Sequence, residues 1–226
     1  MGPAASAKMY ADLVALAQKK YGAVQDTEYP PMLLYSLPLV GFDETGVTMA
    51  DAVKKQLCDA AKVLEKGGAD FIVIACNTVH IFIDDIRGAV QIPVLSMIEE
   101  TVKFIQASHI KTVGLLSSQT TLELNLYQKA FEQAGIQVLE ATAPEQQQVT
   151  ETIKHVMGGH QGEKDSSVLS TIINRMVSNG ATCAVLGCTE LPLAAHHLAV
   201  SVPVYDAMAI LTSSSLQNAY PAPTRA

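Results

Sequence analysis

The sequence predicts an α/β fold built from two similar halves with parallel sheets, and three observations predict it. One pattern occurs twice, as GGADFIVIACNT at residues 67–78 and as NGATCAVLGCTE at residues 179–190. A second pair of segments follows in the same order, IPVLSMI at residues 92–98 and VPVYDAM at residues 202–208. Along the whole chain, apolar runs of strand length alternate with helical patterns, which implies right-handed crossovers and parallel sheets.

Each copy of the longer pattern has the same internal order. A helical stretch ends at glycine, an apolar run follows, and a cysteine with small polar residues closes the run. When the copies are aligned, Gly68 matches Gly180 and Cys76 matches Cys188. Each half therefore presents one thiol at the carboxyl end of a strand, which is the edge where open α/β sheets bind ligands.

The individual elements follow from apolar spacing and from breaks at glycine or proline. An apolar run after two prolines predicts a buried strand, and an amphipathic stretch that ends at paired glycines predicts a helix. The predicted strands cover residues 32–37, 71–75, 93–96, 112–117, 136–139, 183–186 and 202–205. The predicted helices cover residues 4–20, 47–66, 78–87, 98–107, 121–134, 144–157, 165–178 and the chain from residue 208, with a disordered tail at residues 219–226.

The two halves differ in how they begin. The second half opens with a strand at residues 112–117, whereas the first half starts its helix almost at once, after Met1-Gly2-Pro3. We therefore expect the first lobe to lack a strand that its twin possesses. A late chain start is the favoured explanation, because a missing interior strand leaves backbone donors and acceptors unpaired.

Composition excludes several classes of function. A formal net charge of −7 argues against nucleic acid as a partner, because phosphate binding requires a basic surface. The sequence has no apolar run long enough to predict a membrane span and no charged-then-apolar leader. Its 4 cysteines form no CxxC pair, which argues against a disulfide framework. We expect a cytoplasmic protein whose thiols stay reduced.

The paired cysteines suggest proton-transfer chemistry. A free thiol has a pKa of about 8.5, so its surroundings easily switch it between its charged and neutral forms. Cys76 and Cys188 are each predicted at a strand-to-helix turn, where unpaired N–H groups favour the thiolate. Two thiols facing one cleft could remove a proton from one face of a carbon and return it to the other. That chemistry requires no metal and no cofactor.

Small polar residues beside the thiols could bind a substrate. The same N–H groups, together with nearby hydroxyl and amide side chains, can hold a carboxylate. Ser118 and Thr121 follow the strand that opens the second half, where they could bind substrate or simply cap the next helix. The candidate substrate-binding residues are Met1, Asn77, Thr78, Ser118, Thr121 and Thr189.

Each candidate also has a structural interpretation. A single cysteine at the end of a buried strand is usually a small core residue, and Cys58 and Cys183 are interpreted in that way. Cys76 and His80 have the spacing of a zinc-ligand pair, but no second pair accompanies them. We expect His80 to form hydrogen bonds within its turn or to orient a neighbouring residue. Adjacent acids at Glu99 and Glu100 are expected only to favour a helix dipole.

The cysteine motifs carry a specific resemblance. CNTVHIFIDDIRGAVQIPVLSMIEETVK at residues 76–103, together with LGCTELPL at residues 186–193, resembles the aspartate/glutamate racemase family and most closely the pyridoxal-independent microbial aspartate racemases. The resemblance covers essentially the whole chain. It implies two pseudo-two-fold-related lobes, each with a mostly parallel four-stranded sheet flanked by helices. The implied lobes are residues 1–98 plus 207–226 and residues 99–206, and homodimers are common in the family.

The resemblance also assigns roles. It implies that Cys76 and Cys188 are the two acid/base residues, and that Asn77, Thr78, Thr121 and Thr189 bind a small amino-acid substrate. Members usually begin with a strand that leads into Gly-Gly-Met-Gly-Pro, of which this chain carries only Met1-Gly2-Pro3.

The chain departs from the aspartate-binding pattern of the family at two positions. Similar aspartate racemases carry basic residues where this sequence has Asp43 and Gly158, although Lys154 or Lys164 could substitute for the second. An acidic Asp43 facing the cleft would repel a side-chain carboxylate. The reaction type is therefore better supported than the substrate, which could be aspartate, glutamate, a neutral amino acid or a basic one.

Several functions remain to be compared. The leading hypothesis is a cofactor-independent amino-acid racemase that uses two cysteines. The alternatives are a related hydantoin racemase, a decarboxylase, or an inactive amino-acid-binding protein of the same fold. Decarboxylases of this superfamily keep one cysteine, so the presence of two argues against that activity. A metal-dependent hydrolase is the weakest alternative.

Overall fold

The computed structural model describes residues 3–43 and 46–220, which fold as two compact units. The first unit comprises the described residues within Met1–Glu100 and Met208–Ala226, and the second comprises Thr101–Ala207. The expected disorder at residues 219–226 falls on residues 221–226 outside the described residues. It is wrong for Ala219, which ends a helix, and for Tyr220, whose hydroxyl donates to the Glu28 carbonyl at 2.8 Å.

Ten α-helices and eight strands are present in the described residues. The helices are α1 (Pro3–Leu16), α2 (Ala50–Lys66), α3 (Ile83–Ala89), α4 (Met97–Ala107), α5 (Gln119–Glu123), α6 (Leu126–Gln133), α7 (Ala143–Met157), α8 (Glu163–Ser178), α9 (Leu191–Ala194) and α10 (Ala207–Ala219). The strands are β1 (Phe42–Asp43), β2 (Gly46–Val47), β3 (Ile72–Val73), β4 (Val94–Leu95), β5 (Thr112–Ser117), β6 (Gln137–Glu140), β7 (Cys183–Gly187) and β8 (Val204–Asp206). A π-helical turn (Ala17–Tyr21) extends α1, and 3₁₀ turns occur at Asp26–Glu28 and Thr78–Phe82.

The second unit is a parallel sheet flanked by helices, as predicted. Its strands lie in the order β6-β5-β7-β8, and each neighbouring pair is parallel. The central strand β7 is buried along its whole length. Apolar side chains of α7 and α8, including Ile153 and Ile172, pack against Leu116 and Leu186 of the sheet. This packing fixes the carboxyl end of β7, where Cys188 follows.

The first unit has a smaller sheet than the sequence predicts. The expectation was a mostly parallel four-stranded sheet without its first strand, whereas the described residues contain a parallel pair, β3 with β4, and an antiparallel hairpin, β1 with β2. Helices α2 and α3 cover the pair through a core that includes Val53, Leu57 and Ile86. The α/β fold class is confirmed, whereas the pseudo-two-fold relation of the lobes stays a prediction.

The predicted strand at residues 32–37 is wrong. This segment has no regular secondary structure, and Leu33 and Leu34 are 57% and 60% exposed. An apolar run becomes a strand only where a neighbouring strand supplies ladder hydrogen bonds. Neither sheet in the described part of the first unit includes this segment.

The sequence repeat is also a repeat of local structure. Gly68 and Gly180 both adopt a positive φ, at 90° and 103°, immediately after a helix end. Four residues after each glycine, a strand residue donates a hydrogen bond to the carbonyl of the proline that precedes the next strand. Ile72 donates to Pro93 and Ala184 donates to Pro203, both at 2.9 Å. The two halves therefore share a glycine turn before the cysteine strand and one hydrogen bond from that strand to the next.

One predicted helix is divided in two. Residues 121–134 form α5 and α6, because Asn125 between them adopts a left-handed conformation with φ of 53°. Asparagine tolerates this conformation better than most residues.

The start of α7 is fixed by one carboxylate. Glu145 accepts hydrogen bonds from the Thr142 backbone and hydroxyl at 2.7 and 2.8 Å, and from Arg175 Nε of α8 at 2.7 Å. Burial alone would raise the pKa of Glu145, but these hydrogen bonds outweigh it and lower the pKa below its ordinary value. The carboxylate thus joins a capping box to the neighbouring helix.

We expect Glu145→Ala to destabilise the second unit by about 1–3 kcal/mol, because it removes the cap and leaves Arg175 without its carboxylate partner. Urea unfolding at neutral pH measures this loss. Glu151→Ala, on the exposed side of the same helix, is the matched control and should change the free energy of unfolding by less than about 0.5 kcal/mol. Equal effects of the two substitutions would contradict the assigned role of Glu145.

Candidate active site

Cys76 lies in a tight turn after β3. Its N–H donates to the carbonyl of Ile74 at 2.9 Å, and the 3₁₀ turn Thr78–Phe82 follows. Asn77 and Thr78 are both buried. The strand-to-helix turn is where the sequence placed it, but the helix that follows begins as a single 3₁₀ turn. The partial charge available from a helix terminus is therefore smaller than that of a long helix.

A buried histidine holds the carbonyl side of this turn. His80 Nδ1 lies 2.8 Å from the Cys76 carbonyl oxygen, and its Nε2 lies 3.0 Å from the backbone nitrogen of Met97. A carbonyl can only accept and an N–H can only donate, so these contacts assign the neutral tautomer with the proton on Nδ1. Burial lowers the pKa of His80 to about 4, despite the opposing effect of the carbonyl contacts.

These contacts decide between the two interpretations of His80. The expectation that it forms hydrogen bonds within its turn is confirmed. A zinc pair with Cys76 is not supported, because both ring nitrogens are already used by the backbone. No group of three or more potential metal-ligating side chains occurs among the described residues.

An ion pair fixes the next element of the first unit. Arg87 donates to both carboxylate oxygens of Glu99, at 2.7 and 2.8 Å, and to the Val94 carbonyl at 3.0 and 3.1 Å. Glu99 therefore does more than favour a helix dipole, because it links the start of α4 to α3 and β4. The Met97 N–H that binds His80 belongs to the same helix start.

Cys188 directly follows β7 and is buried, with 7% of its surface exposed. Its Sγ lies 3.2 Å from Oε2 of Glu190. The hydroxyl of Thr189 donates to the same oxygen at 2.8 Å. A four-residue helix, α9, follows this turn. The thiol is thus in hydrogen-bond contact with a carboxylate in its own turn.

A buried tyrosine supports the Cys188 turn from α6. A Cβ atom on Gly187 would lie 2.9 Å from the Tyr127 ring and 3.2 Å from Leu115, so only glycine fits there. Burial raises the pKa of Tyr127, as do the nearby Asp206 carboxylate and, when it is ionised, the Cys188 thiol, although a hydrogen bond with Thr101 opposes them. Sequence reasoning missed both Tyr127 and Glu190 as functional candidates. For Glu190 the only signal in the sequence was its own position, as the acidic residue that ends the second cysteine motif.

The remaining candidates have structural partners in their own units. Ser118 caps α5, since its hydroxyl oxygen accepts from the Thr121 N–H at 3.3 Å and its hydroxyl donates to Thr121 Oγ1 at 3.0 Å. The capping interpretation is therefore confirmed, and substrate binding by this pair stays a prediction. Thr189 is buried beside Cys188. Met1 lies outside the described residues.

The other two cysteines have core or helical positions. Cys183 is fully buried inside β7, and burial raises the pKa of its thiol to about 12. Burial, and then the charge of Asp85, also raises the pKa of Cys58 in α2. Both are poor acid/base candidates, as the sequence indicated.

Comparison with known proteins identifies the family. The family model described as "Asp/Glu/Hydantoin racemase" matches residues 1–214. The chain belongs to this family. The resemblance seen in the two cysteine motifs is thereby confirmed, and the chain is an enzyme of the isomerase class.

Three of the similar proteins match nearly the whole chain. The broad specificity amino-acid racemase RacX of Bacillus subtilis is 30% identical over 218 residues, which span 96% of this chain and 94% of RacX. The structure of an aspartate racemase homologue from Pyrococcus horikoshii matches with a TM-score of 0.82 and 29% identity, over 96% of this chain and 94% of that one. The aspartate racemase of Picrophilus torridus shares the fold, with a TM-score of 0.79 and 24% identity over 96% of this chain and 90% of its own.

Among the described residues, no helix has the length and apolarity needed to cross a bilayer.

We expect Gly187→Ala to destabilise the second unit by about 1–3 kcal/mol, because the added methyl group overlaps the Tyr127 ring and moves the cysteine turn. Gly88→Ala in α3 is the matched control, since its Cβ would meet no atom within 4 Å. Thermal unfolding compares the two variants. A Gly187→Ala protein as stable as the control would contradict the contact with Tyr127.

The stability of the protein should fall as the pH drops from 6.5 towards 4. His80 is neutral in the folded state but takes up a proton at its ordinary pKa of 6.5 when unfolded, so its contribution is present above that pH and lost below it. His80→Gln should be less stable at neutral pH by about 1–3 kcal/mol and should lose less further stability on acidification. Unfolding at a series of pH values measures both effects. Exposed His196→Gln is the control and should follow the parent curve.

Proposed function

We propose that this chain is a cofactor-independent amino-acid racemase in which Cys76 and Cys188 act on opposite faces of the substrate α-carbon. The observation that carries the proposal is the repeated local structure, in which one cysteine follows each of two corresponding strands. Membership of a racemase family supports the reaction type. Two thiols are sufficient for it, because inversion needs one base and one acid on opposite sides.

The proposed reaction is balanced by two proton transfers. One cysteine, as thiolate, takes the α-proton and leaves an electron pair on the α-carbon. The other cysteine, as thiol, donates its proton to the opposite face. The product is the other enantiomer, and the two sulfurs have exchanged their protonation states.

The substrate carboxylate needs donors close to the sulfurs. We assign this role to the side chains and backbone N–H groups of the two cysteine turns, with a contribution from the α5 terminus. The proposed substrate-binding residues are Asn77, Thr78, Ser118, Thr121 and Thr189, together with Met1. Four of them are buried, namely Asn77, Thr78, Thr121 and Thr189. Their burial supports the assignment, because hydrogen bonds to a carboxylate are stronger away from water.

We infer that the substrate range extends beyond aspartate. The sequence has Asp43 and Gly158 where similar aspartate racemases carry basic residues that grip the side-chain carboxylate. Lys154 and Lys164, which could substitute, are both exposed. The similarity to a broad specificity racemase supports the inference independently. The homodimer and the cytoplasmic location expected from the sequence stay predictions.

The proposal is tested by deuterium exchange in D₂O against a panel of L-amino acids, D-amino acids and a substituted hydantoin, with chiral chromatography of the products. We expect deuterium at the α-carbon and racemisation of neutral amino acids as well as aspartate. Cys76→Ala and Cys188→Ala should each lower racemisation by about 10²–10⁴-fold. EDTA and the carbonyl reagent hydroxylamine should leave the rate unchanged.

Cys58→Ala is the control cysteine variant and should racemise at the parent rate. Parent-rate racemisation by either active-site variant would overturn the two-cysteine mechanism. Tight amino-acid binding without exchange would favour an inactive binding protein, and exchange of the hydantoin alone would favour a hydantoin racemase.

A further inference from the structure

The two cysteine turns differ in charge although their backbones repeat. In the aligned motifs, Glu190 occupies the position of Thr78. In the second pair of segments, Asp206 at the end of β8 occupies the position of Ser96, which follows β4. The half that contains Cys76 thus has hydroxyl groups at two positions where the half that contains Cys188 has carboxyl groups.

Glu190 contacts the thiol directly. The 3.2 Å distance from Cys188 Sγ to Glu190 Oε2 is that of a thiol donating to a carboxylate. The Thr189 hydroxyl donates to the same oxygen and so holds the carboxylate beside the sulfur. A carboxylate oxygen has no proton to donate, so it can bind the thiol but repels the thiolate.

Three further titratable side chains of the second unit, on α6, β7 and β8, bring no positive charge to the Cys188 turn. Tyr127 from α6 is neutral, because burial and nearby negative charge raise the pKa of its hydroxyl. Asp206 from β8 lies close enough to the same hydroxyl to contribute to that shift. Cys183 of the same strand is a buried neutral thiol. In the first unit, by contrast, the turn of Cys76 is held by the neutral ring of His80.

We propose that Glu190 is a positioning residue that keeps Cys188 protonated in the ligand-free enzyme, so that Cys76 is the resting base. This inference rests on the proposed two-cysteine function. In the resting form Cys76 removes the α-proton and Cys188 delivers its own proton to the other face. The resulting Cys188 thiolate lies beside a carboxylate, which favours its reprotonation from solvent while Cys76 releases its proton. The form with a Cys76 thiolate and a Cys188 thiol is therefore more populated than the reverse form. Each form acts on one of the two enantiomers.

The test measures the protonation of each cysteine without substrate. The full chain is alkylated with iodoacetamide over a series of pH values, and the labelling rate of each cysteine peptide is followed by mass spectrometry. Reactivity follows the thiolate fraction, so the midpoint of each pH profile reports the protonation of that sulfur independently of its accessibility. We expect a higher midpoint for Cys188 than for Cys76.

Glu190→Gln should lower the Cys188 midpoint by about one pH unit, which is about a tenfold gain in labelling rate below the midpoint, and should leave Cys76 unchanged. Glu190→Asp retains the charge and should restore a midpoint near that of the parent. Glu132→Gln, at an exposed position of α6, is the control. Circular dichroism establishes that the variants are folded.

An unchanged Cys188 profile in the folded Glu190→Gln protein, or a parent midpoint lower for Cys188 than for Cys76, would overturn the role of Glu190. Because the labelling needs no turnover, its outcome is separate from the racemisation assay. Normal racemisation with an unaffected Cys188 profile would reject this inference alone. The expected labelling without racemisation would reject the proposed function alone.

Discussion

Each cysteine strand is tied to the strand that follows it in sequence, and this parallel pairing is the constraint on which both thiol positions depend. Among the described residues of the first unit, this pairing is a short ladder in which Ile72 faces Val94. In the second unit β7 pairs on both sides, with β5 and with β8. A fully paired backbone cannot slide by one residue without turning its core side chains to the opposite face. In the second unit this pairing fixes Cys188, which directly follows β7, whereas in the first unit the shorter pair is followed by a turn that contains Cys76.

The two units support their cysteine turns by different means, which reflects the size of their sheets. The short β3–β4 pair gives the Cys76 turn little backbone support, and polar contacts supply the rest. His80 joins the Cys76 carbonyl to the start of α4. Arg87 joins that helix, through Glu99, to Val94 of β4. The larger sheet of the second unit supports Cys188 by packing instead, with the Tyr127 ring pressed against Gly187. The buried groups that support the two turns, His80 and Tyr127, are both neutral. A buried charge without a partner would cost several kcal/mol.

The sequence predicted the features of the fold that local residues determine, and it did not predict those that depend on contacts between distant residues. The repeat, the strand at residues 112–117 and the α/β class followed from local patterns of apolar residues and glycines, and all three are present. The segment at residues 32–37 has equally apolar side chains, yet strand formation depends on a neighbour that the segment itself does not encode. The division of residues 121–134 depended on one asparagine, whose left-handed conformation is permitted but not required by its sequence. The contact of Tyr127 with Gly187 joins residues 60 positions apart, so no local pattern could indicate it.

The site shows the same division between local and long-range information. The thiols and their small polar neighbours were visible in the sequence, because the repeat marked them. The sequence also shows the charge difference between the turns, since Glu190 occupies the position of Thr78. Only the structure shows that this carboxylate lies 3.2 Å from the Cys188 sulfur. A symmetric pair of thiols would leave the free enzyme with no preferred arrangement of one proton between two sulfurs. Under the proposed mechanism, the carboxyl groups at two positions of the Cys188 half, where the Cys76 half has hydroxyl groups, would remove that degeneracy. In this way a fold made of two similar halves can assign different resting states to two chemically identical side chains.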